Sequence, residues 1–130
     1  MLSYLFIGAN DLDASARFYE AILSPLHYEK ERSEGHYCFS LPEALDKSNG
    51  PGSIHIALPF NGEPASAGNG MMPALRAASR THVDEIYAAG LAYGGTDAGM
   101  PGIREAYTAN FYVGYLRDPV GNKIAVFFKG

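Results

Sequence analysis

Few side chains in this 130-residue chain are suited to chemistry. His36 and Cys38 share the run His36-Tyr37-Cys38-Phe39, and His55 lies in Ile54-His55-Ile56-Ala57-Leu58. Arg104, Glu105, Tyr107, Asn110 and Tyr112 form a later group. An imidazole can take or give a proton near neutral pH. Arg104 can hold a carboxylate or phosphate through a fork of N–H donors, and tyrosines suit a flat or amphipathic ligand. Plainer readings stand beside these. His55 is equally a hydrogen-bonded strand residue, Arg104 an exposed arginine, and the tyrosines core filling. For Cys38 the strand-like setting favours a buried structural thiol. Glu105 is the nearest acid to Arg104 and is expected to be exposed. His27, after Pro25, and His82, in the first turn of a helix, are expected to be solvated. The phase of His36 on its strand is left open.

These residues need elements to position them. Leu2 to Ile7 is apolar and strand-compatible, and Gly8-Ala9-Asn10 ends it. Asp11 or Asp13 can cap a helix whose stripe is Leu12, Ala16, Tyr19 and Leu23, widened by Phe18 and Ile22. Ser24-Pro25 stops it. Strands are expected over residues 28–32, 36–41 and 54–58, with a polar loop from Pro42 to Gly52. Pro59 to Gly70 is connecting loop, and Met71 to Ala77 is again strand-like. Ser79 or Thr81 caps a second helix with the stripe Val83, Ile86, Tyr87 and Leu91. Gly94-Gly95 and Gly99 to Gly102 read as loop, and strands are expected over 103–107, 111–116 and 124–128. The order is β-α-β-β-β twice. A shift of 68 residues places Asp11 on Ser79, Tyr19 on Tyr87 and Leu23 on Leu91, so caps meet caps and stripe meets stripe.

Composition narrows the function classes. The length suits one domain, 1–130, with modules of about 1–59 and 71–130 joined by a linker of about 60–70. The net charge of −4 comes with scattered Lys and Arg rather than a basic stripe, which argues against nucleic acid as a partner. No apolar run reaches membrane-spanning length. The opening Met1 to Ile7 lacks a basic n-region and reads as a first strand rather than a signal peptide. A single cysteine forbids an intramolecular disulfide, in keeping with a reducing cytoplasm.

The most specific local pattern is Asp118-Pro119-Val120-Gly121-Asn122, between an aromatic run (Phe111, Tyr112, Tyr115) and an apolar one (Ile124 to Phe128). Proline fixes φ, glycine supplies positive φ, and Asp and Asn bond back to the backbone, so this is a hairpin turn. This turn followed by a strand, together with the doubled β-α-β-β-β order, resembles the glyoxalase / bleomycin-resistance / ring-cleaving dioxygenase (vicinal oxygen chelate) superfamily. The second half, with Gly68-Asn69-Gly70, Pro101-Gly102-Ile103-Arg104 and Tyr107-x-x-Asn110-Phe111-Tyr112, resembles small bacterial lactoylglutathione-lyase-like proteins.

The resemblance implies an α+β fold: two βαβββ modules forming a half-open, eight-stranded barrel-like sheet with a helix outside each. It implies a divalent metal held on the concave face by the first, fourth, fifth and eighth strands, the last through a glutamate. Carried onto this chain, those positions are Tyr4, Ala57, Met72 and Ala125. A phenol, a thioether and two methyl groups are poor ligands for Mg²⁺, Mn²⁺ or Zn²⁺, so no metal cofactor is expected. Strand alternation adds Phe6, His55 and Phe127 to the same face. The expected ligand-binding set is Tyr4, His55, Met72, Arg104, Tyr107, Asn110, Tyr112 and Ala125, with His55 the best candidate for a catalytic role. The expected function is small-molecule binding in the cleft. The alternatives are a metal-dependent lactoylglutathione-lyase-like enzyme and a metal-free acid/base enzyme using His55. The resemblance also implies a homodimer.

Overall fold

A computed structural model describes residues 1–130. The chain forms β1 (Tyr4–Gly8), α1 (Leu12–Leu23), a short 3-10 turn, β2 (Glu29–Ser33), β3 (His36–Ser40) and β4 (Ser53–Ala57). It then repeats the order with β5 (Ala74–Arg76), α2 (Arg80–Ala92), β6 (Thr96–Ile103), β7 (Phe111–Arg117) and β8 (Lys123–Lys129). The strands make two open sheets, β1-β4-β3-β2 and β5-β8-β7-β6. In each, the first strand runs parallel to the fourth and the remaining pairs are antiparallel. The expected doubled βαβββ architecture is present.

The caps resolve to one residue each. Asp11 accepts from the Ala14 N–H and Ser79 from the His82 N–H, both three residues on. In α1, Ala16, Phe18, Tyr19, Ile22 and Leu23 are buried. In α2, Val83, Ile86, Tyr87 and Gly90 are buried, whereas Leu91, expected in the stripe, is 40% exposed. Gly90 takes the inward position because there is no room for more. An added Cβ there would lie 2.6 Å from a Leu116 methyl and 3.1 Å from one of Ile22. One continuous core joins both modules, combining Phe18 and Ile22 of α1, Ile86 of α2, Ile54 and Ile56 of β4, and Leu116, Ile124 and Val126 of β7 and β8.

Two expectations about strands are corrected. The sixth strand is Thr96–Ile103 rather than 103–107. Its Gly-Met-Pro-Gly content is tolerated because β6 is an edge strand with register shifts between Asp97 and Gly99 and between Gly99 and Gly102. The fifth strand starts only at Ala74, so Met72 lies in the approach to it.

Tyrosine–aspartate bonds fasten helices to sheets. The Tyr37 hydroxyl donates to Asp13 on α1 at 2.8 Å, Tyr87 on α2 to Asp97 at 2.6 Å, and Tyr112 to Asp84 on α2 at 2.6 Å. The bond to Asp97 pushes the Tyr87 phenol up to about 12. The fourth bond crosses between modules: buried Tyr19 donates to buried Asp118 at 2.5 Å. The same Asp118 accepts the N–H groups of Val120, Gly121 and Asn122 at 2.9 Å and the Asn122 side-chain amide at 2.9 Å. The turn Asp118–Asn122 is thus the expected hairpin turn, closed by Asp118 N–H to Asn122 O at 2.9 Å.

Tyr19→Phe removes one donor from a buried carboxylate and is expected to destabilise the protein by about 1–3 kcal/mol. A urea-unfolding midpoint unchanged by the substitution would show that the two modules do not depend on this bond.

Candidate functional site

Strand pairing fixes which residues share the face turned away from the helices. In the first sheet, Phe6 is level with His55, His55 with Cys38, and Cys38 with Glu31. One step along, Gly8, Ala57, His36 and Ser33 form the next row. The phase left open for His36 is therefore settled, and it shares a face with His55. The alternate residues, Tyr37, Phe39, Ile54 and Ile56, fill the core beneath the helices.

His36 Nε2 lies 2.6 Å from His55 Nδ1, and His55 Nε2 lies 2.6 Å from the Ser48 carbonyl oxygen. The carbonyl can only accept, so His55 Nε2 carries a hydrogen and, in the neutral ring, Nδ1 does not. His36 Nε2–H must then be the donor. That leaves His36 Nδ1 as the free basic nitrogen of the pair, with His55 serving as its orienting partner. The loop before β4 makes this possible. Gly50 adopts φ +94° and donates to the Asp46 carbonyl at 2.8 Å, folding residues 46–50 back over β4. The Tyr4 ring packs edge-on against His55, with centroids 5.1 Å apart. Burial, then the electrostatic influence of the neighbouring His55 ring, holds His36 below the usual imidazole value.

Cys38 is half-buried, its Sγ 3.6 Å from the Lys47 carbonyl and 4.0 Å from His55 Nε2. Burial and then Glu31 push its thiol up, which disfavours the nucleophilic thiolate. His27 is exposed, as expected. His82 is not solvated: it is half-buried, Nδ1 accepting from Ala78 N–H at 3.0 Å and Nε2 lying 3.1 Å from the Pro25 carbonyl oxygen. A helix-start histidine within reach of the preceding helix's end acts as a brace.

In the second sheet the helix-free face carries Ala125 and Phe127 on β8 and Phe111, Val113 and Tyr115 on β7. A cavity of about 450 Å³ opens there, lined by Met72, Tyr107, Thr108, Phe111, Tyr115 and Lys129. Arg104 lies over the Tyr115 ring at 5.6 Å, with Nη2 donating to the Met100 carbonyl at 2.7 Å. Met72, Tyr107 and Arg104 thus gather at one place. Tyr112, expected at the pocket mouth, instead points to the helix side, where its hydroxyl binds Asp84. Alternation requires this, because Phe111 and Val113 on either side of it face the other way. Asn110 is exposed, and its side-chain oxygen accepts from Thr108 within the same turn.

A larger cavity, about 620 Å³, lies at the other end of β1. Phe6, Gly8, Pro59, Phe60, Met71 and Lys123 are among its walls. The linker is pinned over it by Asn10, whose side chain bonds both the N–H and the carbonyl of Ala65. Sequence reading missed this cavity, although a polar residue just past β1 opposite a Pro- and Gly-rich linker was its one available signal.

The metal positions can be tested against the donors present. The expected fourth-strand position is corrected: Phe6 pairs with His55 as Ala74 pairs with Ala125, and Ala9 bonds to Ala57 as Ala77 bonds to Phe127, so the counterpart of Ala125 is His55 rather than Ala57. Tyr4 is 48% and Met72 42% exposed, whereas Ala125 is buried. Nowhere do three or more His, Cys, Asp or Glu side chains gather so as to hold a metal ion. These residues do not fit the divalent metal that the fold implies.

The whole chain is similar to a glyoxalase/bleomycin resistance protein from Albidiferax ferrireducens T118: 36% identity, covering 100% of this chain and 99% of that one, with a TM-score of 0.85. The fold is shared by a glyoxalase-related enzyme from Fulvimarina pelagi (19% identity, 99% and 88% covered, TM-score 0.77). It is shared too by a glyoxalase/bleomycin resistance protein/dioxygenase family enzyme from Burkholderia phytofirmans PsJN (18%, 98% of each, TM-score 0.71). No family model and no curated protein matches the sequence. With identity, coverage and doubled module agreeing, the chain belongs to the glyoxalase/bleomycin resistance protein/dioxygenase superfamily.

The histidine pair generates a direct expectation. In a ¹⁵N-imidazole titration His36 should take up its proton at Nδ1, with a midpoint below about 6.5, while Nε2 keeps its hydrogen throughout. Because the folded value lies below the unfolded one, the unfolded chain binds this proton more readily. Stability should therefore fall as pH drops through about 6.5 and level off below the folded midpoint. Proton uptake at His36 Nε2 instead of Nδ1 would refute the assigned donor order.

Proposed function

We propose that the protein binds a small organic molecule in the cleft formed by the helix-free faces of its two sheets, without a divalent metal. The observation that carries this reading is the donor set: Tyr4, His55, Met72 and Ala125 stand where the family implies ligands, one imidazole with no carboxylate, and no cluster of three or more His, Cys, Asp or Glu gathers elsewhere. A hard cation needs several oxygen or imidazole donors converging on one point. A cleft lined by aromatic, thioether and methyl groups suits an organic ligand.

A second reading is favoured by one feature, the free Nδ1 of His36 supported by His55. It could remove a proton from a bound substrate without a metal. The residue in the catalytic role would then be His36, with His55 positioning it.

The apolar side chains left in solvent, Phe6 at 51%, Leu58 at 55%, Phe60 at 104% and Met71 at 64%, favour a homodimer that covers them. No helix is long and apolar enough to cross a membrane. With one free cysteine the reading is of a protein working in the cytoplasm.

The first test is turnover of methylglyoxal with glutathione, with and without added Ni²⁺ or Zn²⁺. No turnover and no effect of chelator is the expected result. Metal-dependent activity abolished by chelator would overturn the proposal. Light scattering is expected to give the mass of two 14.0 kDa chains; a single-chain mass at micromolar concentration would count against the dimer.

A further inference from the structure

The charges on the two helix-free faces differ in sign. In the second module, the Arg76 guanidinium lies 4.8 Å over the Phe127 ring. Lys123 Nζ lies 4.8 Å over Tyr115, which Arg104 also covers. Lys129 forms part of the cavity wall. None of these four cations is joined to a carboxylate, since the chain's ion pairs are Lys30–Glu20 and Lys47–Glu29, both in the first module. The acids of the second module are occupied elsewhere. Asp84 and Asp97 accept tyrosines of the helix side, Asp118 is locked in its turn, and Glu85 is on α2. Only Glu105 stands near, in the exposed turn after β6. By contrast the same face of the first module carries Glu29 and Glu31 on β2.

A cation over a ring keeps its charge, because the aromatic face attracts it without neutralising it. A chain with a net charge of −4 therefore presents uncompensated cations on this aromatic face, with Lys129 in the wall of the hollow and Arg104 over its Tyr115 ring. The hollow has ring walls at usable angles. Tyr107 stands edge-on to Phe111 with centroids 5.6 Å apart, and Phe111 lies tilted against Phe127 at 5.3 Å. A planar ring can slot against such walls, and its anionic substituent would meet Lys129 or an arginine fork.

We propose that the cavity between Met72, Tyr107, Phe111, Tyr115 and Lys129 is the binding site for an aromatic carboxylate of one or two rings. This names the ligand class for the cleft-binding reading above and rests on it. Field and shape act together here: the cations draw an anion and disfavour a cationic ligand, while the rings select for a flat body.

The probes are 2-naphthoate, its neutral amide, 2-naphthylmethylammonium and the non-aromatic cyclohexanecarboxylate, each titrated into ¹⁵N- and ¹³C-labelled protein. Naphthoate is expected to shift the resonances of Tyr107, Phe111 and Tyr115 and to bind about tenfold tighter than the amide, the ratio one charge-assisted hydrogen bond supplies. The double substitution Arg76→Gln/Lys129→Gln should remove that advantage, so that naphthoate binds no tighter than the amide, with the folded spectrum retained. Amide or ammonium binding as tight as naphthoate at this face would overturn the anionic part and leave the cleft reading standing. Equal binding of cyclohexanecarboxylate would overturn the aromatic part. Naphthoate shifts confined to the Phe6–Phe60 cavity, or silence from every probe, would overturn the assignment of this site. The cleft reading itself stands or falls by metal binding and metal-dependent turnover, which none of these probes measures.

Discussion

The buried carboxylate of Asp118 is the joint on which the geometry depends. One of its oxygens takes the backbone N–H groups of Val120, Gly121 and Asn122, and the other takes the Asn122 amide and the Tyr19 hydroxyl. A buried charge is tolerable only when hydrogen bonds replace its water, and here each bond also does structural work. The backbone set shapes the β7–β8 hairpin, which places Tyr115, Ala125 and Phe127 on one face. The Tyr19 bond reaches from α1, so the first module holds the second through the same group. Burial, then the Asp118 charge and hydrogen bond, raises the Tyr19 phenol well above its usual value, so Tyr19 remains a donor at any physiological pH.

Three further tyrosine–aspartate bonds follow the same rule, each tying a helix to a strand. They have a functional consequence. Tyr19, Tyr37, Tyr87 and Tyr112 spend their hydroxyls on the scaffold, so half-buried phenols in this chain are mostly fasteners rather than acids or bases for a substrate. What remains on the helix-free faces is the His36–His55 pair in the first module and the ring-and-cation hollow in the second. The two modules thus offer different chemistry from one repeated frame.

Much of the frame was legible in the sequence. The caps at Asp11 and Ser79, the buried stripes and the Asp118 turn rest on local rules of spacing and turn chemistry, and those hold within a few residues. The fourth-strand position was not legible: strand pairing makes His55 the counterpart of Ala125, where the residue shift alone points to Ala57. What failed depended on tertiary placement. Gly90 displaces Leu91 from the stripe because Leu116 and Ile22 come too close for a side chain. Edge position lets Gly99, Pro101 and Gly102 sit in a strand. The Tyr112 hydroxyl turns to Asp84, a partner 28 residues away that no local pattern announces. His55 was singled out, yet its role as the orienting ring rather than the free base depends on Ser48 in a loop whose path the sequence does not reveal.

The central proposal is that a small organic molecule, rather than a divalent cation, is what this protein binds. The most direct test is a crystal structure of untagged protein grown with excess Zn²⁺ and examined for anomalous scattering. No ion is expected among Tyr4, His55, Met72 and Ala125. A fully occupied anomalous peak there, with protein or water ligands completing its shell, would contradict it.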